Sequence, residues 1–230
     1  GVPGNLKAWT EALEIWGTLP LGQVMEPAIR FAARGFQASA YLHETIVQMQ
    51  DVIRRFPETA ATYMPGGVAL QPGELVDRSD YARTLQTIAV RGSDHLYNGP
   101  LGEIVCDYLG RNGGIITMQD LGDYKTVRRK PVKAEYRGYD LFAPPPPSAA
   151  GVHIAEMLNI LEEFEVAKMG FGTADSIHLL LESMKKAFAD RNRYTGDPDY
   201  VEVPLDRLIA KHHVEGFIDN LDMDKASPEI

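Results

Sequence analysis

The chain has 230 residues, a hydrophobic content of 44% and a charged content of 24%, which is the composition of an ordinary globular protein. Its formal net charge of −9 disfavours nucleic acid and anionic membrane surfaces as partners. The single cysteine, Cys106, excludes an internal disulfide, and no apolar run approaches the length of a membrane span.

The first half of the chain predicts a succession of helices. Apolar residues at helical spacing indicate five of them: 5–16, 21–34, 39–56, 79–91 and 101–112. Pro27 lies inside the second, so its regular part is expected to begin near that proline. The proline- and glycine-rich residues 57–77 predict a surface loop with one short strand near 68–70, and 120–124 predict a single helical turn.

In the second half the apolar period changes to two and then back to helical. Strands are predicted over 127–129, 132–136 and 139–143, with a turn at 137–138. Helices are predicted over four ranges that follow: 149–163, 174–194, 205–211 and 214–221. The chain is therefore expected to be helix-rich α+β, without an alternating βαβ pattern.

The helix predicted over 174–194 has the clearest pattern, with Thr173 as its N-cap. Its glutamate, lysine and aspartate at four-residue spacing, Glu182, Lys186 and Asp190, are expected to form ion pairs on the solvent side. Its buried stripe is predicted from apolar spacing: Ile177, Leu180, Leu181, Met184 and Phe188.

Four consecutive prolines, Pro144 to Pro147, separate the last predicted strand from the helix after it. Proline fixes φ and lacks a backbone donor, so the run predicts a stiff, extended elbow that ends at Ser148 as a helix N-cap. Two interpretations remain open: the elbow lies beside an active site, or it only fixes a packing angle.

Most other candidates for a site are better explained by structure. His178 and Glu182 lie four apart on a helix, but a third metal ligand at a recognisable spacing is missing, so a solvated helix face is expected. His212 and His213 are adjacent and point apart on a helix, so a surface position is expected for both.

Asp197 and Asp199 flank a proline without the glycine and glutamate of a calcium loop, so turn residues are expected. Asp190, Arg191 and Arg193 suit the carboxyl end of the long helix. The glycine pairs at 66–67 and 113–114 lack a phosphate-binding context and predict turns, and Cys106 is expected to be a buried, inert thiol.

Several stretches, taken in order, resemble the γ-glutamyltranspeptidase family. They are GVPG (1–4), WGTLPL (16–21), PAIRFAARGF (27–36), NGGIIT (112–117), DLGDY (120–124), YRGY (136–139), PPPS (145–148), NILE (159–162), ADR (189–191) and GDPD (196–199). The resemblance covers essentially the whole chain, and its specificity lies in the ordered combination.

The resemblance implies an N-terminal-nucleophile hydrolase with an αββα sandwich, in which a precursor cuts itself into a large and a small subunit. Residues 1–230 would be a single segment, the C-terminal part of the large subunit. The start at Gly1 and the loop-like residues 223–230 fit a segment of a longer chain. The nucleophile would be the N-terminal threonine of the small subunit, so no catalytic or substrate-binding residue is carried over to this segment.

The implied activity is transfer or hydrolysis of the γ-glutamyl group of glutathione and related amides. The implied partners are the small subunit and a small-molecule γ-glutamyl substrate, without cofactor, metal, nucleic acid or membrane insertion. A periplasmic or secreted location is favoured by the resemblance. Five residues are expected to be supporting structure near the site: Pro145, Pro146, Pro147, Ser148 and Gly151.

The chain departs from the family pattern at the elbow, which leaves the substrate open. Where the family has Ser-Ser-Gly-Gly, this chain has Ser148-Ala149-Ala150-Gly151, and Pro144 is an additional proline. A cephalosporin-acylase-like or other amidohydrolase of the same superfamily is one alternative. A catalytically inactive homologue or a binding module is the alternative of another class.

Overall fold

The structure is a computed structural model that describes residues 1–228. The described part is helix-rich, with four short strands in two separate antiparallel pairs, as the α+β prediction requires. The chain divides into two compact units, Gly1–Val127 and Arg128–Ile230. Within residues 1–228 the helices are all too short or too polar to cross a membrane.

The first unit consists of helices joined by short connections, with one two-residue strand pair. Its elements are α1 (Asn5–Trp16), α2 (Leu21–Arg34), β1 (Phe36–Gln37), α3 (Ala40–Ile53), α4 (Pro57–Tyr63), a 3₁₀ turn (Pro65–Gly67), β2 (Leu75–Val76), α5 (Ser79–Arg91), α6 (Asp94–Tyr97), α7 (Pro100–Arg111) and α8 (Met118–Asp123).

Helix α2 packs along α5, and β1 pairs with β2 so that Phe36 lies opposite Val76. An apolar cluster beneath this pair consists of Ala38, Ile46, Met64, Leu70 and Val76. The buried Tyr97 ties the start of the unit to its end, because its hydroxyl donates to the carbonyl of Pro3 at 2.7 Å and its ring stacks on Tyr124.

Three predictions for this unit are wrong in detail. Helix α2 runs unbroken through Pro27, which lies on an exposed side where the carbonyl left without a donor can bond to water. The segment 57–77 begins with helix α4, in which Pro57 occupies a first-turn position that suits proline. The strand of this segment is Leu75–Val76, and residues 68–70 do not form one.

The second unit is a β-hairpin packed on two long helices, followed by short helical turns. Its elements are β3 (Val132–Tyr136), β4 (Tyr139–Ala143), α9 (Ala150–Glu162), α10 (Val166–Met169), α11 (Ala174–Tyr194), α12 (Leu205–Leu208), a 3₁₀ turn (Lys211–His213) and α13 (Glu215–Ile218). The strand predicted over 127–129 is not formed.

The hairpin pairs Val132 with Ala143, and its turn is at Arg137 and Gly138, as predicted. Both turn residues have positive φ, 49° and 80°, which matches the twist that a two-residue hairpin loop requires. The predicted long helix α11 is confirmed with both ends and with its Thr173 cap, whose side chain accepts from the N–H of Ser176.

Helix α9 is the centre of this unit. It packs against α11 and against both strands of the hairpin. Seven of its residues are buried: Gly151, Val152, His153, Ala155, Glu156, Asn159 and Ile160. Three of these seven carry polar side chains, so the centre of the unit is chemically unusual and contains the candidate site.

Candidate functional site

The elbow between β4 and α9 is a turn. Pro144 and Pro145 are irregular, the chain turns at Pro146 and Pro147 across a cis peptide bond, and the N–H of Ser148 donates to the carbonyl of Pro145 at 3.1 Å. The stiff extended run is therefore wrong in its second half. The cap prediction for Ser148 is also wrong, because Ala149 occupies the N-cap position and no side chain caps the helix.

Gly151 fixes how closely the elbow approaches α9. A Cβ at this position would overlap the carbonyl oxygen of Pro144 and would lie 3.1 Å from the Cβ of Ala143. Only glycine therefore lets the first turn of the helix rest directly on the backbone that leads into it. Among the expected near-site residues, Pro146 and Gly151 are buried, and Pro147 is exposed.

A polar pocket of about 360 Å³ lies between the elbow and the end of α11. Its walls include Pro147 and Ala149 from the elbow, Arg191 from the helix, and Thr195 and Asp197 from the loop that follows. Arg129 bonds both Asp197 and Asp199, at 3.6 and 2.9 Å, and so holds this loop.

Beneath the elbow, α9 carries two buried ionisable residues one turn apart. The Nδ1 of His153 lies 3.1 Å from Oε2 of Glu156, and its Nε2 lies 2.9 Å from Oγ1 of Thr195. Glu156 has no exposed surface, and its other oxygen, Oε1, is buried without a hydrogen-bond donor. A buried ionised carboxylate in this state would be costly.

Helix α11 and the 3₁₀ turn bring further charges to the same place. Asp190 is buried and accepts from the ammonium of Lys186 and from Nε2 of His213, the latter at 2.6 Å. Lys186 and His213 each lie 3.6 Å from Oε1 of Glu156. We call these five residues, His153, Glu156, Lys186, Asp190 and His213, the buried polar cluster.

The pKa values of the two carboxyl groups of the cluster are shifted in opposite directions. Burial, aided by the proximity of Asp190, raises the pKa of Glu156 to about 7, although the His153 ring opposes the shift. Burial alone would also raise the pKa of Asp190, but hydrogen bonds from Glu156, Lys186 and His213 outweigh it and hold that pKa well below its ordinary value. One carboxyl thus holds a proton that its neighbour gives up.

Glu156, Asp190 and His213 each place a ligand-type atom within 4.8 Å of the others. The ammonium of Lys186 already lies among these atoms and supplies positive charge to both carboxyl groups. We therefore interpret the cluster as a proton-sharing ion-pair network. Thr195, His153 and Glu156 are linked in the hydroxyl, imidazole and carboxyl order of a catalytic triad, but Glu156 is also tied to the charges of Lys186 and His213, and the interpretation as a network rests on those contacts.

The sequence patterns do not predict this cluster. They predict a surface position for His213 and a helix end for Asp190, but both side chains are enclosed, with exposures of 14% and 10%. The residues are spread over 61 positions, from His153 to His213, and only folding brings them together. Two sequence signals concern its members: His153 and Glu156 lie three apart on a largely apolar helix, and Lys186 and Asp190 lie four apart on the next long helix.

The buried stripe predicted for α11 is wrong, because the helix turns a different face to the interior. Leu179, Ser183 and Ala187 face the interior together with Glu182 and Asp190. The five large apolar residues of the predicted stripe are instead exposed, by 36–52%; they are Ile177, Leu180, Leu181, Met184 and Phe188. We call these five residues the apolar face of α11.

The ion pairs expected on the solvent side of α11 are also placed differently. Lys186 does pair with Asp190, but inside the unit. Glu182 is buried and pairs with Lys185 at 2.8 Å. His178, expected beside Glu182 on a solvated face, bonds the carbonyl of Asp222 at 2.9 Å, so the two residues share no ligand.

The remaining candidates follow the structural expectation. Asp197 caps its own turn by accepting from the N–H of Asp199 at 3.1 Å, and His212 is exposed. Gly66, Gly67 and Gly113 have positive φ, as turn glycines do. Cys106 is half-buried, so it is less enclosed than predicted.

Comparison with known proteins gives the family. The sequence pattern of the gamma-glutamyltranspeptidase family matches residues 1–230. The chain is 49% identical over 214 residues to the acylase ACY 1 proenzyme of Pseudomonas sp. (strain SE83), covering 93% of this chain and 38% of that protein. It is 38% identical over 229 residues to the glutathione hydrolase proenzyme of Escherichia coli (strain K12), covering 99% and 40%.

Solved structures agree with this assignment. The gamma-glutamyltranspeptidase of Helicobacter pylori superimposes with a TM-score of 0.93 at 34% identity, covering 99% of this chain and 66% of that one. The cephalosporin acylase of Bacillus halodurans superimposes with a TM-score of 0.87 at 29% identity, covering 96% and 42%.

The chain spans about two-fifths of the length of the curated relatives it matches. Those relatives are proenzymes of hydrolytic function, and the fold is that of the N-terminal-nucleophile hydrolases of this group. The chain belongs to the gamma-glutamyltranspeptidase family, within the superfamily that also contains the cephalosporin acylases.

Proposed function

We propose that this chain is a single large-subunit segment of an autoprocessed enzyme that moves an acyl group from an amide to water or to an acceptor amine. The observation that carries the proposal is the agreement in backbone with the Helicobacter pylori enzyme over 99% of the chain, at a TM-score of 0.93. The proenzyme names of the acylase and glutathione hydrolase relatives support the processing step.

The chemistry would be nucleophilic catalysis by a threonine at the new N-terminus of the small subunit. Its hydroxyl attacks the amide carbonyl while its α-amine takes the hydroxyl proton. The α-amine then passes this proton to the leaving nitrogen, the C–N bond breaks, and an ester remains. Water or an acceptor amine then attacks the ester and regenerates the threonine. Donors from the small subunit hold the oxyanion. In this scheme the present segment is scaffold, and its elbow is supporting structure near the site.

The apolar face of α11 supports a protein partner for this segment. Beside it lies an apolar groove of about 680 Å³, which is lined by Leu161, Val166, Phe171 and residues of the face itself. Contiguous apolar surface of this kind marks an interaction site in soluble proteins. The small subunit of the same precursor is the partner that the proposal assigns to it.

The substrate proposed first is a γ-glutamyl amide such as glutathione, as the family resemblance implies. An acyl-cephalosporin or a related amide is the second candidate. The identity of 49% to the acylase proenzyme, against 38% to the glutathione hydrolase of Escherichia coli, favours that second candidate. The residues Ala149 and Ala150, where the transpeptidases have Ser and Gly, leave the substrate open between the two candidates.

The test uses the full-length protein. It is incubated with a γ-glutamyl anilide, whose released amine is coloured, and separately with an acyl-cephalosporin. Release from the anilide that disappears when the nucleophilic threonine is changed to alanine supports the first substrate, and release only from the cephalosporin supports the second. An intact precursor that cleaves neither compound would show a catalytically inactive homologue or a binding module and would reject the enzyme.

A further inference from the structure

The buried polar cluster has one feature that its hydrogen bonds leave unexplained. Glu156 is fully enclosed, yet Oε1 receives no hydrogen bond, while the nearby Asp190 receives two. An ionised carboxylate accepts only, so an ionised Glu156 leaves this oxygen unsatisfied next to a second negative charge. A protonated Glu156 can instead donate to Asp190, which removes both the unsatisfied oxygen and the repulsion.

We propose that Glu156 and Asp190 share one proton, and that this proton is a latch that holds helix α9 and its elbow against α11 and the 3₁₀ turn. The three elements meet at this cluster, at the apolar packing around it, and at an ion pair in which Lys211 of the 3₁₀ turn lies 2.7 Å from Glu162 of α9. Glu156 and His153 come from α9, Lys186 and Asp190 from α11, and His213 from the 3₁₀ turn.

The charges of the cluster determine whether loss or gain of a proton weakens the contact between these elements. With the shared proton in place, the carboxyl pair carries one negative charge, which the ammonium of Lys186 balances directly. Loss of the proton adds a second buried negative charge. Lys186 and His213 can compensate it only from 3.6 Å, beyond hydrogen-bonding distance from Oε1.

Two elements that pack on α9, strand β3 and helix α12, bring apolar side chains to it. Strand β3 and helix α12 pack on α9 through Val132 and Leu208, which are apolar and buried. Beyond His153, the polar neighbours are Thr195, which bonds the His153 ring, and Asn159, which donates to the carbonyl of Ile209 at 3.0 Å. When the shared proton is lost, the poorly compensated negative charge therefore lies on Glu156 itself.

The pH dependence follows from the raised pKa of Glu156, about 7 in the folded chain against an ordinary value of 4.5. The folded chain binds the proton more tightly than the unfolded chain, so stability falls as pH rises between these two values and stays low above them. The elbow is joined to α9 through Gly151, whose position leaves no room between the first turn and Pro144. A looser α9 therefore also loosens the elbow.

The test compares the full-length protein with its Glu156→Gln variant by thermal unfolding at about pH 5 and about pH 8. Glutamine has the shape of the protonated acid and donates permanently. We expect the variant to match the parent at the lower pH and to unfold several degrees higher at the upper pH. Equal shifts at both pH values, or a variant that fails to fold, would overturn the proposal.

A local readout separates the latch from a general effect on stability. Hydrogen exchange, corrected for its intrinsic pH dependence, is expected to show that protection of Ala150–Glu162 falls with rising pH in the parent and stays constant in Glu156→Gln. Unchanged protection in the parent would overturn the proposal. The matched control is Glu182→Gln, since Glu182 is an equally buried glutamate with all its donors in place, and this variant must leave the pH dependence at α9 intact.

Discussion

The two faces of α11 reverse the usual arrangement of a surface helix. The buried face includes Glu182, Ser183 and Asp190, while the face turned to solvent includes Leu181 and Phe188. A helix at the surface of a folded chain normally buries its apolar side. This arrangement fits the partner proposed above: α11 makes a polar contact inside its own unit and leaves its apolar face uncovered.

The largest expected effect comes from breaking the polar contact. Asp190→Ala leaves Lys186 and His213 enclosed without their acceptor, and removing one member of a buried ionic network costs about 3–5 kcal/mol of unfolding free energy. Denaturant unfolding of the full-length protein measures the loss. The control is Asp199→Ala, because Asp199 pairs with Arg129 at an exposed position where little stability is at stake. Equal losses in both variants would contradict a special role of the polar face.

The apolar contact is tested by placing charge on the solvent face. In the double variant Leu181→Asp and Phe188→Asp, a partner would lose the burial of two large side chains that are about half exposed in the chain, worth about 2 kcal/mol together. We expect precursor processing or subunit co-purification to fail while the parent protein completes both. Ile115→Asp is the matched control, since Ile115 is 90% exposed and lies in the other unit. Normal assembly of the double variant would refute the partner surface.

Helix α9, which packs against the buried face of α11, is positioned by the elbow. Gly151→Ala forces a methyl group against the carbonyl of Pro144, and overpacking of this kind costs about 1–3 kcal/mol. Gly110→Ala, at a helical position in α7 with open space around it, should instead be neutral or slightly stabilising. Unfolding midpoints of the two variants give the comparison, and an unaffected Gly151→Ala would mean that elbow and helix can move apart.

The smallest expected effect concerns Glu182. The pKa of this buried glutamate is lowered, whereas that of the buried Glu156 is raised. Burial would raise the pKa of Glu182, but hydrogen bonds from Lys185 and Ser227 outweigh it and lower that pKa below 4.5. Its contribution to stability is present above that value and is lost as pH falls through the lowered pKa. Glu182→Gln is thus expected to cost about 1–2 kcal/mol near neutral pH and progressively less in acid. An unfolding series over acidic pH checks this, and a pH-independent cost would contradict it.

Local sequence signals predicted the elements well. The Thr173 cap and the apolar spacing gave both ends of α11, and the residues of α1 and of the β3–β4 hairpin were also found. The orientation of α11 could not be predicted in this way. A period of 3.6 residues shows that a helix has two faces, but which face lies inside depends on what packs against it.

The elbow and the cluster show two further limits. Four prolines predict stiffness, but the chain turns between Pro145 and Ser148 and brings Gly151 against the carbonyl of Pro144, a contact that the proline run alone does not indicate. Glu156 was hidden because its partners Asp190 and His213 are distant in sequence. Single-residue patterns cannot anticipate a cluster whose members meet only after folding.

The arrangement of α11 also sets an order of events during folding. Lys186 and Asp190 are one turn apart on the same helix, so half of the polar contact forms as soon as the helix does and needs only α9 to complete it. The apolar face is then presented to water in a finished shape before anything covers it. Until a partner arrives, that face can equally well meet a chaperone or a second copy of the chain. With the partner proposed above, we therefore expect the yield of assembled protein to depend on how briefly α11 remains uncovered.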